Sequence, residues 1–162
     1  MTPPRILTIG VYGYDEEAFF DALHQAGVDL FCDVRLRRGV RGAQYAFANS
    51  QRLQARLEEL GIAYMHCKDL APTKEIRALQ YAADDEEKVA KRKRETLSPT
   101  FAEAYRDQIL AHFSVLDFLG ALPPDTGAVV LFCVERAPEA CHRSLAADMI
   151  AAELGVEVEH IR

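Results

Sequence analysis

A chain of 162 residues, 49% hydrophobic and 27% charged, is long enough to bury a core as one domain. Its formal net charge of −6 offers no general attraction to nucleic acid or to an anionic membrane surface. No apolar run approaches the roughly eighteen residues of a membrane span, and the opening segment MTPPRILTIG carries no long apolar stretch, so a cytoplasmic location is the expectation.

Short β-type runs alternate with helical patterns. Arg5–Gly10 (RILTIG) is the first expected strand. Asp15 then suits the cap of a helix whose Phe19, Phe20 and Leu23 share one face, with Gly27 at its end. Val28–Val34 (VDLFCDV) is the second strand, almost continuously apolar as for a strand covered on both faces. Ser50 can cap a helix carrying Leu53, Leu57 and Leu60, closed by Gly61, and Ile62–Cys67 (IAYMHC) follows as the third strand. A longer excursion comes next: Thr73–Ala83 reads as helical and Asp84–Glu95 (DDEEKVAKRKRE) as a charged, solvated helix face. Ser98-Pro99 opens a further helix expected to bury Phe101, Tyr105, Ile109, Phe113 and Leu116. LPPDTG breaks the chain before the fourth strand, Ala128–Val134, and Val156–Ile161 is the fifth.

This order predicts a single three-layer α/β domain over residues 1–162, with a mainly parallel sheet of about five strands and helices on both faces. Such sheets bind ligands beyond the carboxyl ends of the strands, where strand order reverses. The residues to inspect are Gly10, Tyr12 and Gly13 after the first strand, and Asp33, Arg35, Arg37, Arg38 and Arg41 after the second. His66, Cys67, Lys68 and Asp69 follow the third, and Cys133, Glu135, Arg136, Cys141, His142, Arg143 and Ser144 follow the fourth. Neither GxGxxG nor the GxxxxGK[ST] loop is present, which argues against dinucleotide and P-loop chemistry.

The densest group is VVLFCVERAPEACHRSLAADM, Val129–Met149. A helix starting near Cys141–Ser144 would present unpaired N–H groups and a dipole favouring an anion, reinforced by Arg143. The same field would stabilise a Cys141 thiolate, with His142 accepting its proton. The alternative is a cysteine beside an ordinary helix cap. RLRRGVR, Arg35–Arg41, puts four guanidinium groups in seven residues, either an anion clamp or a solvated loop. The four cysteines are expected to be reduced thiols, with Cys32 a small buried hydrophobe. Zinc would need His66 or Cys67 together with Cys133, Cys141 and His142. No CxxC pair exists and adjacent Cys141-His142 is not a common ligand spacing, so no metal is assigned.

TIG (Thr8–Gly10), DVR (Asp33–Arg35), VRGAQYAF, GIAYMHCKDL, FCVERAPEACHRS and VEVEHI, in this order, resemble the domain of unknown function 488 family. The resemblance spans nearly the whole chain, and C-x-E…C-H-R is its most specific part. It implies a fold and a site but no reaction. The chain departs from the pattern in lacking a Pro-x-Ser lead-in to Arg41 and in having LAP (Leu70–Pro72) for Leu-Gly-Gly, which implies a distinct subgroup. The layout is also similar to rhodanese-like and cysteine-phosphatase domains. Those place a cysteine at a strand end and phosphatases need Cys-x5-Arg, whereas nine residues separate Cys133 from Arg143 here.

The leading expectation is an enzyme acting on an anionic, phosphate-bearing small molecule or nucleotide. Cys141 is the expected nucleophile, Cys133 its competitor or resolving partner, and His142 or Glu135 the proton carrier. Asp33, Arg35, Arg41, Arg143, Ser144, Gly10 and Tyr12 would bind the anion, with Arg143 facing solvent and no cofactor. The alternatives are a non-catalytic phosphate-binding module, for which nucleic acid is possible but not favoured, and a metal-dependent site. No membrane partner is expected, and oligomeric state stays open.

Overall fold

The computed structural model describes residues 2–87 and 96–162. Strands β1 (Arg5–Gly10), β2 (Leu30–Asp33), β3 (Ala63–His66), β4 (Ala128–Cys133) and β5 (Val158–His160) form one sheet of order β3-β2-β4-β1-β5. Every pairing is parallel. The helices are α1 (Glu16–Gln25), α2 (Ser50–Glu59), α3 (Lys74–Glu87), α4 (Pro99–Gln108), α5 (Val115–Ala121) and α6 (His142–Leu154). The expected α/β fold is therefore present. Among the described residues no helix is long and apolar enough to cross a membrane.

The topology explains where a site can form. From β1 the chain skips one position to β2, continues outward to β3, and returns to fill the gap with β4. Right-handed crossovers running in opposite directions place α1 and α2 on one face and the later helices on the other. That leaves β4 buried at every residue, as its unbroken apolar run requires. On one side Phe19 packs against Phe31, Phe47 and Phe132, with ring centroids 5.5–6.4 Å apart. On the other, α6 lies over β1 and β4 and meets α4. Gly10 and Cys133 are register partners, as are Asp33 and Phe132, so three strands end side by side at the reversal point.

Several local expectations need correction. The helix starting at Pro99 does not run through Leu116. Its Ser98 cap holds as expected, but α4 stops at Gln108, and a tight turn at Leu110–His112 follows. Ser114 then caps α5 by accepting from the Asp117 N–H at 3.1 Å. This restart shifts the helical phase, so Val115 and Phe118 are buried, Ile109 and Phe113 are half-buried, and Leu116 is 81% exposed. Helix α2 is capped at Asn49 rather than Ser50, and the Asn49 Oδ1 instead accepts from the Val40 N–H at 2.7 Å. Of the charged stretch Asp84–Glu95, residues 84–87 complete α3, and the basic run Lys88–Arg94 lies outside the described residues.

The expectation of four reduced thiols also fails. Cys32 in β2 and Cys67, just beyond β3, form a disulfide with Cα atoms 5.9 Å apart, and Cys133 and Cys141 remain thiols outside any disulfide. In-register pairing of β2 with β3 brings them together across a separation of 35 residues, which no local pattern could reveal.

Gly10 is the position where backbone approach matters most. A Cβ there would overlap the carbonyl oxygen of Glu135 in the loop beyond β4. Gly10→Ala should therefore destabilise the fold by about 1–3 kcal/mol through forced displacement of that loop. Urea denaturation measures this, and an unchanged midpoint would show that the loop is free to move.

Candidate functional site

The reversal point places the end of β4 beneath a cleft of about 1130 Å³. Its floor holds Cys133, Glu135, Cys141 and His142, and its walls come from the loop after β2 and from α3. Tyr12, Leu97 and Phe101 add apolar surface.

Cys141 is the N-cap of α6, following a short turn at Pro138–Ala140. It is 1% exposed, and its sulfur lies 3.9 Å from Nδ1 of His142. The other ring nitrogen, Nε2, is 2.8 Å from the Val34 carbonyl oxygen, which can only accept. That carbonyl fixes a proton on Nε2 and leaves Nδ1 facing the sulfur. Thiol, imidazole and carbonyl thus form a chain of contacts from sulfur to ring to backbone. The Tyr105 and His142 rings meet edge to face with centroids 5.4 Å apart, and the Tyr105 hydroxyl donates to the Leu70 carbonyl at 2.6 Å.

Burial alone would raise the Cys141 thiol, but a hydrogen bond from Cys133 and the positive charges of His142 and Arg143 hold it well below the ordinary value. For His142, burial disfavours the imidazolium, yet the Cys141 thiolate and the Val34 carbonyl raise it above its usual range. The pair therefore favours thiolate with imidazolium. Burial, followed by the nearby Cys141 and Cys133 charges, pushes the Tyr105 hydroxyl well up, so it stays protonated.

The expected anion ligands divide sharply. Arg143 is fully buried, not solvent-facing. Its Nη1 donates to the Glu135 carbonyl at 2.6 Å and Nη2 to the Arg136 carbonyl at 3.3 Å. Ser144 turns back to donate to the Cys141 carbonyl at 2.9 Å. Asp33 and Arg35 form a buried bidentate pair, with Nε to Oδ1 at 2.9 Å and Nη2 to Oδ2 at 2.8 Å. The same guanidinium donates to the Ala48 carbonyl at 3.0 Å and lies 4.7 Å from the Phe132 ring centre. Arg35 borders the cleft, but its charge is already matched. Gly10 is a packing position. Arg41 and Tyr12 line the cleft.

The structure adds cations that sequence reading missed. Lys74 and Arg77 of α3 line the cleft together with Arg37 and Arg41. Arg77 lies 2.7 Å from the Tyr81 hydroxyl and 5.6 Å from its ring centre. Lys74, Arg77, Ala78 and Tyr81 all line the cleft at one-, three- and four-residue steps, a helical stripe visible in the sequence once α3 is drawn as a wheel.

Other sequence candidates lie elsewhere. His66 contacts the Arg35 carbonyl at 2.7 Å, and Cys67 is spent in the disulfide. His160 sits on edge strand β5, 2.6 Å from the Thr8 hydroxyl, and burial followed by the Arg143 charge lowers its pKa. The donor atoms of Cys133, Cys141 and His142 lie within 4.8 Å of one another, a set chemically able to hold a metal.

Two outcomes are expected. In reduced, metal-free protein the alkylation rate of Cys141 should fall only as pH drops through a value below that of an ordinary thiol, because its pKa is depressed. Cys133→Ala should move that inflection upward by removing one of the donors to the thiolate, and an unmoved profile would refute the contact. Arg143→Ala should cost about 2–5 kcal/mol of stability in thermal or urea unfolding, since it opens a cavity and strands two carbonyls. A fully stable variant would mean that the buried arginine holds nothing in place.

No curated protein and no solved structure matches the chain significantly. A family model does: that of the domain of unknown function DUF488, over residues 15–150. With most of the chain matched, the protein belongs to the DUF488 family.

Proposed function

We propose that the protein is an enzyme acting on an anionic, phosphate-bearing small molecule or nucleotide at a cysteine-centred site. One observation carries this reading: Arg37, Arg41, Lys74 and Arg77 line the cleft whose floor is Cys141 and His142. Cations contributed by two separate elements over a thiol–imidazole pair suit an anionic substrate with an electrophilic centre. The cleft exceeds what a lone phosphate would fill and has room for a nucleotide-sized group beside Tyr12 and Tyr81.

In this reading Cys141 is the attacking group. His142, oriented by Val34, takes the proton from the sulfur and returns it to the leaving group. Glu135, at the same floor, is placed to favour the imidazolium. The side chains of Arg143, Asp33 and Arg35 support the framework and do not touch substrate.

The test is a turnover and binding screen against nucleotides and small phosphate esters. Lys74→Ala and Arg77→Ala should each weaken transition-state stabilisation by about 10²–10³ in rate where the cation meets developing charge. Cys141→Ser should abolish turnover while retaining salt-sensitive binding. Binding without turnover by the unmodified protein would replace the enzyme reading with that of a phosphate-binding module. Turnover surviving Cys141→Ser would remove the cysteine from the chemistry.

A further inference from the structure

We infer that Cys133, Cys141 and His142 form a three-ligand site for one thiophilic divalent cation, of which Zn²⁺ is the probe, with its fourth position open to the cleft. The inference rests on the same cluster as the proposed reaction centre and adds a cation to it.

The geometry carries the argument. The two sulfurs and a ring nitrogen of His142 lie within 4.8 Å of one another, and all three residues are buried. Zinc–sulfur and zinc–nitrogen bonds in a tetrahedron separate ligand atoms by about 3.5–3.8 Å. The Cys141 Sγ to His142 Nδ1 distance is 3.9 Å, so that pair already stands close to ligating separation, and the set as a whole must draw in from within 4.8 Å. The adjacency of the two residues, an argument against metal when read as spacing, is overcome at the start of α6. There the extended backbone of Cys141, φ −135° and ψ 143°, precedes the first helical residue, and the sulfur and imidazole converge.

The outer contact fits as well. A metal-bound histidine usually donates its second ring N–H to a carbonyl or carboxylate, which fixes the tautomer. His142 has that partner in the Val34 carbonyl, leaving Nδ1 toward the sulfurs. Charge also balances: two thiolates cancel a divalent cation, and the imidazole binds neutral. Uptake therefore sends the protons held by the cluster to solvent, with no oxidant or reductant required. Cys133, Cys141 and His142 all face the cleft, so a fourth ligand arrives from that side. Three protein ligands and one open position are the pattern of a reactive metal site rather than a closed structural one. Loaded, both sulfurs serve as ligands and the open position takes water or a phosphate oxygen. In the metal-free protein Cys141 is free to attack.

The experiment is titration of tag-free, metal-free protein with Zn²⁺ alone, without substrate, followed by peptide-resolved alkylation. One equivalent per chain is expected, with loss of alkylation at Cys133 and Cys141 together. Co²⁺ should give a sulfur-to-metal charge-transfer band. The double variant Cys133→Ser with Cys141→Ser should lose both signals. Should that variant misfold, protection of the unmodified thiols and the Co²⁺ band decide the matter alone. Failure to take up one equivalent, or uptake that leaves either thiol reactive, overturns the site. Because no substrate is present, a failed titration leaves the turnover test standing, and a failed turnover test leaves the titration standing.

Discussion

The buried guanidinium of Arg143 is the contact on which the site depends. It reaches back from the first turn of α6 to the carbonyls of Glu135 and Arg136, closing the loop between β4 and α6 upon itself. Gly10 allows the Glu135 carbonyl to lie against the end of β1. Between them these residues fix where Cys133 leaves the sheet and where Cys141 starts the helix. The two sulfurs meet because a charged side chain is used as an internal strut. An arginine suits this work, since its planar fork donates to two acceptors at once and stays charged when buried.

A second buried fork repeats the device beneath β2. Arg35 binds Asp33 through two contacts and the Ala48 carbonyl through a third, while the Tyr64 hydroxyl also donates to the Asp33 Oδ2 at 2.7 Å. Between these two residues sits Val34, whose carbonyl orients His142. Two buried arginines, one in DVR and one in CHR, thus tie their own loops to backbone carbonyls, one beside Val34 and the other beside His142. The cleft's own positive character comes from residues more exposed and less locally constrained.

The sequence was most legible where periodicity and burial agree. The second and fourth strands were read as nearly continuous apolar runs, and β2 and β4 are buried throughout; the caps at Asp15 and Ser98 are plain side-chain signals. The clustering of Cys133, Cys141 and His142 followed from the rule that ligands gather beyond strand ends. What failed was the direction of individual side chains. Arginine at a helix start looks the same in sequence whether it faces a ligand or a carbonyl, and only the loop's closure decides. The Cys32–Cys67 bond depends on which strands are neighbours, and Lys74 and Arg77 depend on where α3 is laid down. Both are tertiary facts. Leu116 was misplaced for a smaller reason, a serine cap that restarts a helix out of phase.

The strand order has a consequence for assembly of the molecule. β1 and β2 are not neighbours; they are joined only through β4, which the chain supplies more than ninety residues after β2. Until that strand is inserted, the two earlier strands leave a gap with both of its edges unpaired. Closing it requires contacts between distant segments, and such loop closure is what slows folding of sheet proteins. The segment that fills the gap also delivers Cys133, and the residues just after it deliver Cys141 and His142. The thiol–imidazole cluster is therefore assembled at the same step that completes the hydrophobic sheet: a partly folded chain carries the thiols, but not the imidazole held beside Cys141.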